Sequence, residues 1–204
     1  MVLNHLWGLF SHPDQEWDKI RNEPNTLSRH YLAHTVILAA IPAICGYIGS
    51  TSIGWRVGSS DTVYLLTPDS ALQLCILFYF AMISGVFILG KFIDFLSITF
   101  QGEDHTPRGV ALASYTSTPL FIVGLIALFP VLWIDMIVVM LAVAYTVFLL
   151  YEGIPILMKI PSERGFMFAS SVVTVGLVML VGMMAITVVI WAVGVGPVFT
   201  TAAT

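Results

Sequence analysis

Residues Tyr115–Pro130 read YTSTPLFIVGLIALFP. The segment is apolar enough to lie in lipid, yet it opens on four consecutive hydroxyl-bearing side chains and a proline. A proline inside a helix removes one backbone hydrogen bond and kinks it. In hydrocarbon the freed carbonyl needs another donor, and Thr116, Ser117 and Thr118 carry donors of that kind. The stretch therefore reads as a kinked membrane helix. Two roles fit: a kink that serves packing, or a hinge and polar notch formed by Gly109, Tyr115, Thr116, Ser117, Thr118 and Pro119.

The whole chain supports the membrane reading. Of its 204 residues 58% are hydrophobic and only 10% charged, with a mean hydropathy of +0.93. Soluble domains carry about a quarter charged residues, so this chain lacks the polar surface to cover a globule in water. Besides the stretch above, four more runs are long enough to span a bilayer, which takes about 20 apolar residues. The five lie near Leu27–Ser50, Ser70–Ser97, Gly109–Phe129, Val131–Leu157 and Phe168–Val195. The second and fourth exceed the bilayer's need, so they tilt or protrude. The third and fourth are joined only by Phe129-Pro130, which suits a tight helical hairpin. The expected class is an all-α membrane protein of five transmembrane helices. It divides into an amphipathic segment over 1–26, a five-helix domain over 27–197 and a short outer tail over 198–204.

Seven of the eight Lys and Arg residues fall on one side. Lys19, Arg21 and Arg29 precede the first span, Lys91 and Arg108 flank the second connection, and Lys159 and Arg164 the last. Arg56 alone falls opposite. The split places the N-terminus in the cytoplasm and the C-terminus outside, and Trp55, Trp133 and Trp191 then form an outer aromatic belt. The N-terminal stretch has no basic n-region and is interrupted by Asn4 and His5, so no cleaved signal peptide is expected. Val2, Leu3, Leu6, Trp7 and Phe10 share a helical face. Ser11 and Asp14 frame Pro13 as a capping-box-like start for a second short helix, with Trp17 and Ile20 on one side. Both helices either lie on the membrane or cover the inner end of the bundle. In the outer loop, TSIGWRVGSSDTVYLLTP places β-branched and aromatic residues on both sides of Gly-Ser-Ser-Asp, a hairpin signal.

His30 and His34 share a helix face at metal-ligand spacing, with His12 and Asp14 as further donors. The Glu of a zincin motif is missing, so His30 and His34 are expected as interfacial histidines that hold no metal. Asp94 is placed to pair with Lys91 three residues before it. Asp135 and Glu152 lie near the ends of the fourth span, and none of the three carboxylates reaches the bilayer midplane where ion-coupled carriers hold their ion. Cys45 and Cys75 lie near one face, within reach of a disulfide, although buried free thiols are the simpler expectation. Ala39, Ala43, Ser84 and Gly85 are small residues that let helices approach closely. No nucleophile motif, phosphate loop or basic nucleic-acid patch is present, so neither an enzyme, a cofactor nor a nucleic-acid partner is expected.

The pattern Gly109-VALAS-Tyr115-TST-Pro119 resembles the third-helix signature of the Yip family, the Ypt/Rab-GTPase-interacting membrane proteins. WGLFSHPDQEW, GYIGSTSIGW (Gly46–Trp55) and YEGIPILMKIPSERGFMFASS (Tyr151–Ser171) are similar to its bacterial YohC-type inner-membrane branch. The resemblance implies five helices with a cytoplasmic N-terminus in a bacterial inner membrane. Because a long cytoplasmic domain and an Asp-Leu-Tyr-Gly-Pro type motif are missing, Rab-type GTPase binding does not carry over. The expected function is a non-enzymatic protein that organises the membrane or binds partners, with lipid, a protein or a second copy as its contacts. The alternative is a small transporter, channel or lipid-handling protein with a cavity near Tyr115–Pro119.

Overall fold

Prolines and apolar runs decide where the helices begin. Pro13 opens a helix over Pro13–Asn22, and Pro68 opens one over Pro68–Thr99 after an extended Thr67. The computed structural model describes residues 5–22, 28–56, 62–100 and 108–203, with the side chains of 28–32, 162, 202 and 203 excepted. In chain order the elements are α1 (Leu6–Ser11), α2 (Pro13–Asn22), α3 (Ser28–Ile48) ending in a π-helical turn (Gly49–Ile53), β1 (Trp55–Arg56), β2 (Thr62–Leu66) and α4 (Pro68–Thr99). Then come α5 (Gly109–Thr116), α6 (Thr118–Val123) with a 3-10 turn (Gly124–Leu128), α7 (Leu132–Met158), α8 (Ser162–Ala192) and β3 (Phe199–Ala203). Among the described residues five helical segments are long and apolar enough to cross a membrane, as expected. The fifth begins six residues earlier than the apolar run, because an extended Pro161 starts the helix and Glu163 lies in its first turn.

The third span departs from a single kinked helix. It is broken at Ser117 into α5 and α6 and tightens into the 3-10 turn. The connection to α7 is as short as Phe129-Pro130 suggests, with Val131 N–H bonded to the Phe129 carbonyl at 2.7 Å.

On the C-terminal side β1 and β2 pair antiparallel, Trp55 opposite Tyr64. The Gly-Ser-Ser-Asp turn of that hairpin lies outside the described residues. The segment expected as an outer tail is a third strand, pairing β2 from Thr62 opposite Ala203 to Leu66 opposite Phe199. Ser70 fastens it: its hydroxyl donates to the Gly196 carbonyl and accepts from Val198 N–H, both at 3.0 Å. No local period foretells such pairing, since the partners lie more than 130 residues apart.

The largest core lies on the N-terminal side, where Leu9, Trp17 and Ile20 of the α1–α2 hairpin meet Leu112, Ile154 and Phe168. The hairpin thus covers the end of the bundle where α5 begins and α7 ends. The expected face of α1 is corrected: Leu9 is fully buried, whereas Trp7 is 81% exposed and Phe10 stacks on Tyr145 at 5.4 Å. Val2 and Leu3 lie outside the described residues. Ser11 does not cap α2, because its hydroxyl bonds back to the Trp7 carbonyl at 2.9 Å. Cys45 and Cys75 are both free. Ala39 and Ala43 are buried on α3, and a side chain at Gly85 would touch Met183 of α8, so these three positions meet neighbours within the chain, whereas Ser84 is exposed. Beyond Val172, α8 buries no residue and turns an apolar surface outward.

Candidate functional site: a buried polar seam around Tyr115

The seam begins where α5 begins. The Lys91 charge acts on Asp94 of α4 without a close ion pair among the described contacts; the Asp94 Oδ1 accepts the Gly109 N–H at 2.5 Å, satisfying one free donor of the helix start. Lys91 instead lies over the Phe87 ring at 5.7 Å. Gly109 stands so close to α4 that a Cβ there would overlap the Gly90 carbonyl, so backbone contact requires a glycine.

Two turns on, Tyr115 is 4% exposed. His34 of α3 lies 4.9 Å from its ring, His5 5.5 Å away edge-on, and Trp17 of α2 6.4 Å away edge-on. His34 is fully buried, and its Nε2 shares a hydrogen bond with Thr118 Oγ1 at 3.1 Å. The neighbouring Thr35 and Ser114 hydroxyls bond each other across the same α3–α5 contact. The other two hydroxyls of the run act locally. Thr116 Oγ1 donates to the Leu112 carbonyl at 2.8 Å, and Ser117 Oγ to that of Ala113 at 2.7 Å. They bond carbonyls six and seven residues before Pro119, nearly two turns back, and so brace the last turn of α5.

The N-terminal hairpin closes the seam with a charged group. Glu16 is buried, its Oε1 meets His5 Nδ1 at 2.5 Å, and its Oε2 accepts from Lys19 Nζ at 2.9 Å. Burial pushes the Glu16 carboxyl up, but the hydrogen bonds and positive charge of Lys19 and His5 outweigh it and hold the group below the usual glutamate range.

The arrangement joins the N-terminal hairpin, α3 and α5–α6 through polar contacts inside an apolar protein. Hydrogen bonds of this kind position helices that hydrophobicity alone cannot tell from lipid. Tyr115, Thr118 and His34, all singled out in the sequence, come together. His34 binds Thr118 in place of a metal, and the side chain of His30 lies outside the described residues. Among the described residues no group of three metal-ligating side chains forms. His5, Glu16, Thr35 and Ser114 were missed. The available signals were His5 interrupting an apolar run, Glu16 beside Trp17 on the buried side of α2, and Thr35 beside His34 in an otherwise apolar helix.

On its other side Pro119 borders a lateral groove of about 320 Å³ between α6 and α7. Pro119 and Val123 form one wall, Val138 and Ala142 the other, and Phe10 and Tyr145 close its end. Tyr145 donates its hydroxyl to the Leu9 carbonyl at 2.8 Å, which ties that end to α1.

The Yip1 domain model matches residues 7–183. The chain belongs to the Yip1 domain family. It is 40% identical over 192 residues to the inner membrane protein YohC of Escherichia coli K12, covering 94% of this chain and 98% of that one. The YohC of Escherichia coli O6:H1 strain CFT073 is similar to the same extent. No solved structure matches. With its five apolar helices, this Yip1 domain is a multi-pass integral protein of the inner membrane. The matched region takes in Glu16, His34 and the whole α5–α6 span, whereas His5 precedes it and β3 follows it.

Proposed function

We propose that this Yip1 domain is a non-enzymatic protein that organises the membrane or recruits partners within it, meeting lipid and a protein partner or a second copy. One observation carries the reading: the seam's polar groups pair with one another across three segments, while α4, α7 and α8 turn long apolar faces outward. Polar groups spent on holding helices together suit a scaffold, and outward apolar faces suit contacts in the plane of the membrane. Detergent-free extraction with surrounding lipid, followed by protein and lipid analysis, tests it. A reproducible partner, or a lipid enriched over the bulk membrane, is expected. Solute flux across vesicles containing the purified protein would overturn it in favour of a transporter. Lipid handling is the second reading, favoured over a solute channel by the apolar walls of the groove beside Pro119.

The seven-to-one distribution of Lys and Arg supports a cytoplasmic N-terminus and periplasmic C-terminus. A topology reporter fused at Gly102 should act as cytoplasmic and one at Thr204 as periplasmic. The reverse at either site would sink that orientation.

A further inference from the structure

We propose that the groove between α6 and α7 is a binding site for one acyl chain of a membrane phospholipid. The proposal rests on the lipid-facing reading of this groove, and does not require that the protein move lipid. Its walls belong to the middle of the third and fourth spans. Tyr145, at its closed end, lies about 20 Å along α7 from Leu132 at 1.5 Å per residue. That places the groove within the hydrocarbon layer of about 30 Å.

The local structure explains why a groove exists here. The helix is interrupted at Ser117, Pro119 stands in the first turn of α6, and Ala142 supplies only a methyl group opposite. The seam between α6 and α7 therefore stays unfilled by side chains. It opens at the outward apolar face of α7, where Leu141, itself part of the lining, is 62% exposed. Tyr145, the lining residue that carries a polar side chain, has its hydroxyl bonded to Leu9. An occupant here needs no hydrogen bond, which suits a hydrocarbon chain and excludes a headgroup. A partner helix, about 10–12 Å across with its side chains, is too thick for a groove of 320 Å³. An acyl chain seated here would rest on the stacked Phe10 and Tyr145 rings, and so would touch the N-terminal hairpin directly.

The test is native mass spectrometry of the full chain released from mixed phosphatidylethanolamine–phosphatidylglycerol vesicles. One retained phospholipid per chain is expected. Ala142→Phe should fill the groove and lower retention by about tenfold or more, the effect of losing burial for two methylene groups. Val138→Phe, at a half-buried position on the groove's edge, should do the same and serves if Ala142→Phe does not fold. Val181→Phe, on the outward face of α8, should retain lipid as the natural chain does. Loss of retention in both folded groove variants, but not in the α8 variant, supports the site. No retention in the natural chain overturns it. So does equal retention in folded groove variants, equal loss in the α8 variant (a lipid annulus only), or retention of added palmitate without phospholipid. Lipid transfer between vesicles, measured separately, decides the lipid-handling reading alone: retention without transfer removes that reading and leaves the site.

Discussion

Gly153 of α7 decides how the N-terminal hairpin docks, and enlarging it should release that hairpin in a graded way. A Cβ at this position would lie 2.7 Å from Leu112 Cδ1, and 2.8 and 2.9 Å from two atoms of the Trp17 indole. Unstrained carbon contacts lie at about 3.5–4.0 Å, so the neighbours would have to retreat by close to an ångström. The Leu112 methyl is the end of a flexible side chain and can yield. The Trp17 ring is rigid and fully buried between the hairpin and the bundle, and yields less. Overpacking of this kind costs about 1–3 kcal/mol, and replacing a helical glycine with alanine returns about 1 kcal/mol. Gly153→Ala should therefore destabilise by about 0–2 kcal/mol. Gly153→Leu cannot be accommodated and should expel the indole, approaching the loss of about 3–5 kcal/mol expected for Trp17→Ala. Thermal unfolding in one detergent gives the stabilities, and tryptic cleavage at Lys19 and Arg21 reports detachment of the hairpin. Trp17→Ala also makes room for a residue at 153, so the double variant should lose less than the sum of the two changes. A rise in stability for Gly153→Leu, or strict additivity in the double variant, would refute the docking role.

Glu16 predicts a pH dependence. Its carboxyl is held below its ordinary value, so its contribution to stability is full above about pH 4.3 and is lost as pH falls through the lower folded value. Glu16→Gln should flatten that acid limb of the stability curve, and an unchanged limb would remove Glu16 as its source. Ser70→Ala removes both hydrogen bonds that fasten the chain before β3, at about 1 kcal/mol each. Faster amide exchange confined to β3 and its neighbours in β2 is expected, and unchanged exchange would mean that the ladder holds itself. Pro119→Ala should change stability only modestly, because lost ring contacts are offset by a regained backbone hydrogen bond. A folded variant that loses partner or lipid enrichment would instead mark this stretch as a hinge.

The membrane class, the five spans and the tight Phe129-Pro130 hairpin were legible in the sequence because they depend on quantities local to each segment. Apolar length decides whether a helix can cross, and a proline decides where it must stop. The amphipathic period of α2 likewise put Trp17 and Ile20 on one side, and the structure turns that side toward the bundle. The same reasoning failed one helix earlier, where α1 buries Leu9 and leaves Trp7 outside. This short helix carries apolar residues on both of its faces, Leu9 on the buried one and Trp7 on the exposed one, so periodicity cannot tell them apart.

That ambiguity extends through the bundle. When the solvent is as apolar as the core, hydrophobicity no longer marks the inside. The inside is marked by close approach and by polar pairing, both of which depend on partners far along the chain. Asp94 had a plausible local partner in Lys91, yet its bond goes to the start of α5. His34 shared a helix face with His30, yet its partner is Thr118, 84 residues away. Glu16 and His5 met only once α1 folded back over α2. The sequence by itself determined that this chain crosses the membrane five times and where it turns. Only the tertiary structure decided which polar side chains meet, because hydrogen bonds act over a few ångströms and are indifferent to distance along the chain.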